Sequence, residues 1–537
     1  MRGLAEVLAL LAAGTVLALA LVRIVHLLHM LQLEEYDTLR FVRWVVLHID
    51  QMAANPMLDL LGLLGVVVLF LPFESVSSKD VIACGLSIAV GLTGLLWERR
   101  LRARSPVKKA LVMTPRARRL LACAAIISLG ICLILLARQA RLALAIAWLL
   151  PTLAPVILVI SCMIMEPVEA SIRDWYVRDA RRTLAGYAPT VVGITGSYGK
   201  TSTKFFTAHL LEARYRVLMT PESYNTAMGI CRVIRGQLGP EHEVFVVELA
   251  ENEKGGFEHL LRLVPCSISI VTSVGLQHLE EFGSEAAIRR VMKGFVSMPG
   301  SGSTVVLNAD DPVLAEIGSV QGKRILRASA GGSLSSDLHA ENIVMSADGL
   351  SFDVVMNQGQ RIACCTKLLG RHNVENILLA VAVARELGVS WNAIQDGVAT
   401  LQAPPHRLQM MAGAGGVRII DDAYNSNPAG FAMAMEVLAA FPSRRVLVTP
   451  GLVSLGKAED TENIEAGRRA AGAADMVILV GPKKTRPVRE GLLSAGFPET
   501  NILTARSLEE VTGLMQSLLK PGDTVLFEND LPDTYNE

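Results

Sequence analysis

From Val191 to Ser202 the chain reads Val-Val-Gly-Ile-Thr-Gly-Ser-Tyr-Gly-Lys-Thr-Ser. A β-branched run enters a glycine turn, and Lys-Thr follows where a helix can open. Backbone N–H groups of such a turn point at phosphate oxygens, helped by the positive end of the helix. Lys200 would then bridge the β- and γ-phosphates of ATP, and the Thr201 hydroxyl would hold Mg²⁺. Gly196, Ser197, Gly199 and Ser202 complete the cradle. The strict phosphate-loop spacing asks for glycine at position 194, where this chain has Ile194. A second run, Val244–Leu249, carries Glu248 near its end. An acid at the carboxyl end of a strand lies in the crevice where ligands bind in open α/β sheets. Glu248 is therefore a candidate metal ligand, directly or through water, and His278 follows the next run closely enough to reach the same place.

These residues need a scaffold, and the surrounding pattern supplies one. Short β-branched runs at Thr190–Thr195, Val244–Leu249, Ser267–Thr272, Thr304–Leu307, Val446–Val448 and Met476–Val480 alternate with amphipathic helical stretches. That alternation predicts parallel sheet with crossover helices. Gly300–Ser303 and Gly413–Gly416 are plausible joints, the second better placed as a domain boundary. At 537 residues and roughly 150 residues per domain, the chain has room for three or four folding units. It has 51 basic and 51 acidic side chains, so nothing marks nucleic acid as a partner. Of the eight cysteines none shows C-x-x-C spacing, which excludes a disulfide framework or a zinc site of that kind. Adjacent Cys364 and Cys365 should alternate across a strand.

Hydrophobic residues make up 51 % and charged residues only 19 %, with a mean hydropathy of +0.40. Soluble domains carry about a quarter charged residues, so part of the chain is expected in lipid. The apolar excess is loaded into the first 165 residues, where five stretches stand out: Leu4–Val22, Met57–Leu71, Val81–Trp97, Leu120–Ala137 and Leu142–Met165. A membrane helix needs about 20 apolar residues. Met57–Leu71 is short enough to be re-entrant or buried instead. Glu6, and apolar sequence resuming after Arg23, argue against a cleaved signal peptide. The short basic loop Arg99–Arg119 should stay in the cytoplasm. That places the N-terminus outside and everything after Met165 inside.

In chain order, TGSYGKTSTK, VVELAENEKGG, GLQHLEEFGS, LNADDP, GRHNVENILLA, HRLQ and DDAYNSNP resemble the blocks of the Mur ligases. The MurF type, which joins D-alanyl-D-alanine to a UDP-N-acetylmuramoyl-tripeptide, is the most similar. The resemblance covers about Thr190 to Val480. It implies a phosphate-loop central domain over 190–412 and a Rossmann-like C-terminal domain over 413–537, after a membrane domain (1–165) and a linker (166–189). The implied activity is that of an ATP-dependent acid–amine ligase working through an acyl phosphate. Lys200 and Thr201 would hold phosphate and Mg²⁺, with Glu248 and His278 as further metal ligands. Asn373 and Asn376 match adenine-binding asparagines, Arg407 a phosphate-contacting arginine, Asp422 a ribose-contacting acid, and Asn225 a position near substrate. Tyr424, Asn425 and Asn427 shape the cleft.

The chain also departs from that family. A lysine carbamylated to bridge two metals is expected eight residues after Gly283-Ser284, a spacing that lands on Met292; Lys293 is one residue later and is the candidate. No soluble UDP-binding domain precedes Thr190. Where relatives carry Lys-Gly-Ser-Arg near the C-terminus, this chain continues Phe527-Glu528-Asn529-Asp530. The reading is an inner-membrane, multi-pass ligase with cytoplasmic catalytic domains, adding an amino acid or dipeptide to a UDP-linked or lipid-linked envelope precursor. A poly-γ-glutamate-synthetase-like ligase is the alternative among enzymes, and a nucleotide-sensing module on a membrane domain the alternative outside them.

Overall fold

The computed structural model describes residues 2–48, 84–85, 87–96, 110–138, 149–222, 224–250, 256–275, 284–333, 336–357, 359–424, 426–453 and 455–530. Met1–Asp174 and Trp175–Leu531 make up two compact units.

Among the described residues three helices are long and apolar enough to cross a membrane, with candidate spans Leu10–Leu33, Pro115–Ile134 and Leu149–Tyr187, all beginning in the first unit. The first helix runs from Arg2 to Leu33, past the expected end at Val22, because Arg23 is buried and does not interrupt it. Val81–Trp97 contributes the shorter apolar helix Ser87–Leu96, and Met57–Leu71 lies outside the described residues. Val16, Ala20, Ile24, Leu28, Leu120, Ala124 and Leu158 build this unit's core. The basic stretch is not all available to a ligand. Arg119 is bidentate with Glu169, at 2.7 and 2.8 Å, and Arg116 lies 4.4 Å over the Tyr36 ring.

The second unit holds two sheets. The first comprises β1 (Thr190–Thr195), β2 (Val217–Met219), β3 (Val244–Glu248), β4 (Ile268–Val271), β5 (Thr304–Asn308), β6 (Arg324–Ser329), β7 (Leu338–Ser346), β8 (Gly349–Met356) and β9 (Arg361–Thr366), in the order β2-β3-β1-β4-β5-β6-β7-β8-β9. The strands from β2 to β7 are parallel. The β7–β8 and β8–β9 pairs are antiparallel, an extension that the expectation of a parallel sheet did not include. Cys364 points inward and Cys365 outward on β9, as alternation requires. β1 is apolar on both faces because both are covered. Val192 and Ile194 pack toward the helices Lys200–Glu212 and His372–Glu386. Val191 packs the other way with Ala180, Leu184, Ile234 and Phe295.

The second sheet comprises β10 (Gln409–Ala412), β11 (Arg418–Asp422), β12 (Arg445–Thr449), β13 (Met476–Val480), β14 (Ile502–Ala505) and β15 (Thr524–Glu528), ordered β10-β11-β15-β12-β13-β14. β10 pairs antiparallel with β11. Gly413–Gly416, the expected joint, is the turn of a hairpin within this sheet. The chain crosses between sheets over 401–408, where Pro404 and Pro405 cannot donate to a ladder. On one face Ile420, Leu447 and Leu526 meet the helices Pro428–Ala439, Glu459–Ala473 and Arg486–Ser494. Two of these helices touch backbone to backbone. A Cβ added at Gly491 would run into the Ile464 carbonyl, whereas one added at Gly513, in the helix Leu508–Leu518, meets nothing within 4 Å.

Gly491→Ala should therefore destabilise this domain by about 1–3 kcal/mol through overpacking. Gly513→Ala should be neutral or stabilise it by up to about 1 kcal/mol through helix propensity. Thermal unfolding of the two variants checks the pair, and equal midpoints would contradict the close crossing.

Candidate active site

The phosphate loop sits between the carboxyl end of β1 and the helix Lys200–Glu212, as the residue types require. Gly199 has φ +80°, a left-handed backbone that glycine adopts without the Cβ penalty. A side chain there would also strike Asn376 Oδ1. The loop is braced from β4: Tyr198 N donates to Ser273 Oγ at 2.9 Å, and Gly275 N to Ser197 Oγ at 2.7 Å. Lys200 Nζ donates to the carbonyls of Gly196 and Ser197, at 2.6 and 3.0 Å. Burial lowers its pKa to about 8; the Arg407 charge adds to that effect and Glu248 opposes it. A bound polyphosphate would reverse the shift, because anionic oxygens favour the ammonium.

Glu248 is the hub of the site. It is buried at the end of β3, and its Oε2 accepts from Thr201 Oγ1 at 3.0 Å and from Lys204 Nζ at 3.3 Å. Asn225 Nδ2 donates to the other oxygen at 3.0 Å. Thr201, Asn225 and Glu248 are thus brought together from three separate segments. Lys204 is the member that sequence reasoning missed. Its side chain is 0 % exposed, and it also donates to the Glu222 carbonyl. The signal was present, since Lys204 follows Lys200 by four residues and so lies one turn along the same helix face. Burial lowers its pKa, while Glu248 acts to raise it.

Thr201 and Glu248 offer hard oxygen donors of the kind that suit Mg²⁺ alongside phosphate and water oxygens. His278 lies outside the described residues. Lys293 does not join this set. Ile288, Met292, Phe295 and Val296 form the buried stripe of its helix, and Lys293, off that stripe, bonds Glu316 Oε2 at 2.6 Å in an exposed pair.

Asn373 and Asn376 lie under the loop rather than open to it. Thr203 Oγ1 donates to Asn376 Oδ1 at 3.1 Å, Asn376 Nδ2 to Asn373 Oδ1 at 3.2 Å, and Asn373 Nδ2 to the Leu369 carbonyl at 2.7 Å. Beside them His372 is held neutral. Burial, and then the Arg407 charge, lower its pKa to about 4, and its Nδ1 is buried with no hydrogen-bond partner among the described residues.

Arg407 arrives from the crossing segment, with its guanidinium carbon 4.2 Å from the centre of the Tyr424 ring. Its neighbours His406 (φ 59°) and Leu408 (φ 47°) are left-handed without being glycine, at a cost of order 1–2 kcal/mol each. Two contacts hold that conformation: His406 Nδ1 lies 2.7 Å from Asp421 Oδ2, and Leu408 N donates to Asp422 Oδ1 at 3.1 Å. Burial raises Asp422 to about 6, with Arg407 pulling the other way. Asn427 caps the helix Pro428–Ala439 through Ala429 N and Gly430 N, and Asn425 lies outside the described residues.

A phosphate loop, a strand-end carboxylate and an arginine carried by a second α/β domain together define an ATP-dependent ligase. The comparisons agree. Residues 194–384 match the Mur ligase middle domain, and residues 406–528 match the Mur ligase, glutamate ligase domain. The UDP-N-acetylmuramoyl-tripeptide–D-alanyl-D-alanine ligase of Escherichia coli is 31 % identical over 330 residues, covering 59 % of this chain and 72 % of the relative. The Bacillus subtilis enzyme of the same name is 25 % identical over 353 residues, 65 % of this chain and 75 % of the relative. A crystal structure of MurF from Acinetobacter baumannii superposes with a TM-score of 0.60 at 25 % identity, covering 68 % of this chain and 78 % of that one. The chain belongs to the Mur ligase family, and it is an ATP-dependent carbon–nitrogen ligase.

Breaking a buried ion pair typically costs about 3–5 kcal/mol, whereas an exposed one contributes about 0–1 kcal/mol. Lys204→Ala should therefore lower the thermal midpoint by several degrees. Lys293→Ala should leave both the midpoint and nucleotide affinity within error of the wild type. A Lys293→Ala protein that loses affinity more than about tenfold would return that residue to the site.

Proposed function

We propose that this protein is a membrane-bound, MurF-like ligase that joins an amino acid or dipeptide to the carboxylate of a cell-envelope precursor. The observation that carries the chemistry is the convergence of Thr201, Asn225 and Lys204 on Glu248, directly beside the phosphate loop. That arrangement suits a reaction in which a substrate carboxylate attacks the γ-phosphorus of ATP and ADP leaves. The incoming amine then attacks the acyl phosphate carbonyl, and inorganic phosphate departs. Lys200 and Arg407 would supply positive charge for the transferring group, Thr201 and Glu248 would hold the magnesium ion that neutralises the polyphosphate, and Asp422 would contact the nucleotide from the second domain. Positioning and exclusion of water from the acyl phosphate do most of the work. A homologous MurF structure from Thermotoga maritima, described as a complex with ADP, is consistent with nucleotide binding in this cleft.

The domain assignment that goes with this reading is a membrane domain followed by central and C-terminal ligase domains. The three apolar helices of the first unit support membrane attachment, and the seven ordered blocks favour the MurF type over a poly-γ-glutamate-synthetase-like enzyme. D-alanyl-D-alanine, the dipeptide in the relatives' names, is the first amine to test, against both UDP-linked and lipid-linked precursors.

Wild-type protein should remain with the membrane after alkaline carbonate washing and release phosphate only when amine and precursor are both present. Hydroxylamine should trap the acyl phosphate as a hydroxamate. Lys200→Ala should lower turnover by at least about a hundredfold, the loss of a transition-state phosphate contact, without lowering the thermal midpoint. Amine-independent phosphate release by the wild type would favour a nucleotide-sensing module instead.

A further inference from the structure

β15 lies between β11 and β12 in the C-terminal sheet, and its last residue, Glu528, is in register with Asp422 of β11. Glu528 is fully buried, and nothing in the proposed reaction uses it. Its carboxyl is nevertheless engaged from two sides. The Ser426 hydroxyl donates to Oε1, and the Thr449 hydroxyl lies 3.4 Å from Oε2. The next residue, Asn529, reinforces the same grip. Its Oδ1 accepts from Ser426 N at 3.0 Å, its Nδ2 donates to the Gly451 carbonyl at 2.6 Å, and its own N–H donates to the Asp422 carbonyl at 3.2 Å. The left-handed φ of Asn529, 66°, is tolerated by asparagine better than by most residues and permits these contacts.

Ser426 stands two residues after Tyr424, whose ring lies under the Arg407 guanidinium. Contacts thus tie Glu528 and Asn529 to Ser426, and Tyr424, two residues before it in the chain, to Arg407. We propose that Glu528 is a positioning residue of this ligase: by gripping Ser426, two residues along the chain from Tyr424, it sets through Tyr424 where Arg407 meets the nucleotide phosphates. The proposal rests on the assignment of Arg407 to the nucleotide site made above.

The two hydroxyls can donate to either form of the carboxyl; what ionisation changes is the charge buried beside Asp422. Burial raises the Glu528 pKa to about 8, and the nearby Asp422 charge raises it further, against the Ser426 and Thr449 hydroxyls. Asp422 on β11 is the ionisable group that acts on it; β12 and the loop face it with the Thr449 and Ser426 hydroxyls. At pH 7 the protonated form of Glu528 is therefore favoured. As pH rises through about 8 it becomes a second buried anion beside Asp422, and repulsion should loosen the loop. Because the folded-state pKa lies above the ordinary carboxyl value, the stability that the neutral group contributes is present at acid pH. It is lost as pH climbs to that folded value.

The test uses full-length protein in detergent or nanodiscs and four forms: wild type, Glu528→Gln, Glu528→Ala and Ser426→Ala. Turnover is measured with saturating ATP, so that bound triphosphate keeps Lys200 protonated and removes it from the alkaline limb. At pH 7 Glu528→Gln should stay within about twofold of wild-type kcat, while Glu528→Ala and Ser426→Ala should fall about tenfold or more, as expected when a phosphate contact is misplaced. Above pH 8 wild-type kcat should decline and that of Glu528→Gln should not. Full kcat in Ser426→Ala, or the same alkaline decline in Glu528→Gln, overturns the proposal. If Glu528→Ala fails to fold, the other two variants still decide. Affinity for a non-hydrolysable ATP analogue at pH 7 is the second readout. It should weaken about tenfold in Ser426→Ala and stay unchanged in Glu528→Gln. A wild type that binds this analogue but shows no amine-dependent turnover counts against the ligase reading alone, and the affinities then decide the role of Glu528. A wild type that does not bind the analogue overturns both.

Discussion

A buried carboxylate with no access to water must be compensated, and Glu248 sets that requirement for the whole catalytic half. An uncompensated charge at the end of β3 would cost several kcal/mol. Lys204, Thr201 and Asn225 meet the requirement together, the first two from one helix and the asparagine from the segment after β2. The lysine and threonine fix the register of the first turn after the phosphate loop, and the asparagine ties down the segment after β2. The loop and the buried carboxylate are therefore one unit. Its apolar frame is the α/β/α sandwich around β1, which holds the carboxyl ends of β1, β3 and β4 level with one another.

The second domain brings charge to this construction by a strained route. His406 and Leu408 flank Arg407 in left-handed conformations that contacts with Asp421 and Asp422 help to hold in place. Strain of this kind persists where the surrounding structure over-determines it. Here that surrounding structure is β11 and the loop after it, the same loop gripped by Glu528 and Asn529. Two buried acids, Asp422 and Glu528, stand side by side at the ends of adjacent strands, and they diverge. Burial raises both, but Arg407 partly offsets it at Asp422, whereas at Glu528 the Asp422 charge adds to it. Neighbouring carboxyls in one small volume are thus shifted to different extents.

Much of the active site was legible in the sequence because its parts are local. The glycine turn, Lys200 and Thr201 lie within one strand–loop–helix unit, and β-branched runs marked the strands that carry Glu248 and the C-terminal core. Arg407 and Asp422 stood out through the resemblance to the Mur ligases, not through periodicity. Length and apolar content were enough to mark three of the helices of the first unit, though not their ends, because a single arginine inside an apolar run does not stop a helix that can bury it.

What the sequence left open required faces and partners. Counting residues from Gly283-Ser284 led to Met292 and Lys293, but the helix turns Met292 into the core and Lys293 out to Glu316, and residue spacing does not specify a helix's rotation. Gly413–Gly416 looked like a joint between domains, since a glycine turn inside a hairpin and one between domains have the same composition; only the pairing of β10 with β11 separates them. Lys204 is one more lysine in a helical pattern until Glu248, 44 positions away, is folded against it. The sequence placed Glu528 where relatives carry Lys-Gly-Ser-Arg without showing what it touches; its contacts arise because β15 inserts between β11 and β12. Local chemistry was written in the sequence; which charges are buried, and against what, was decided by contacts between segments far apart in the chain.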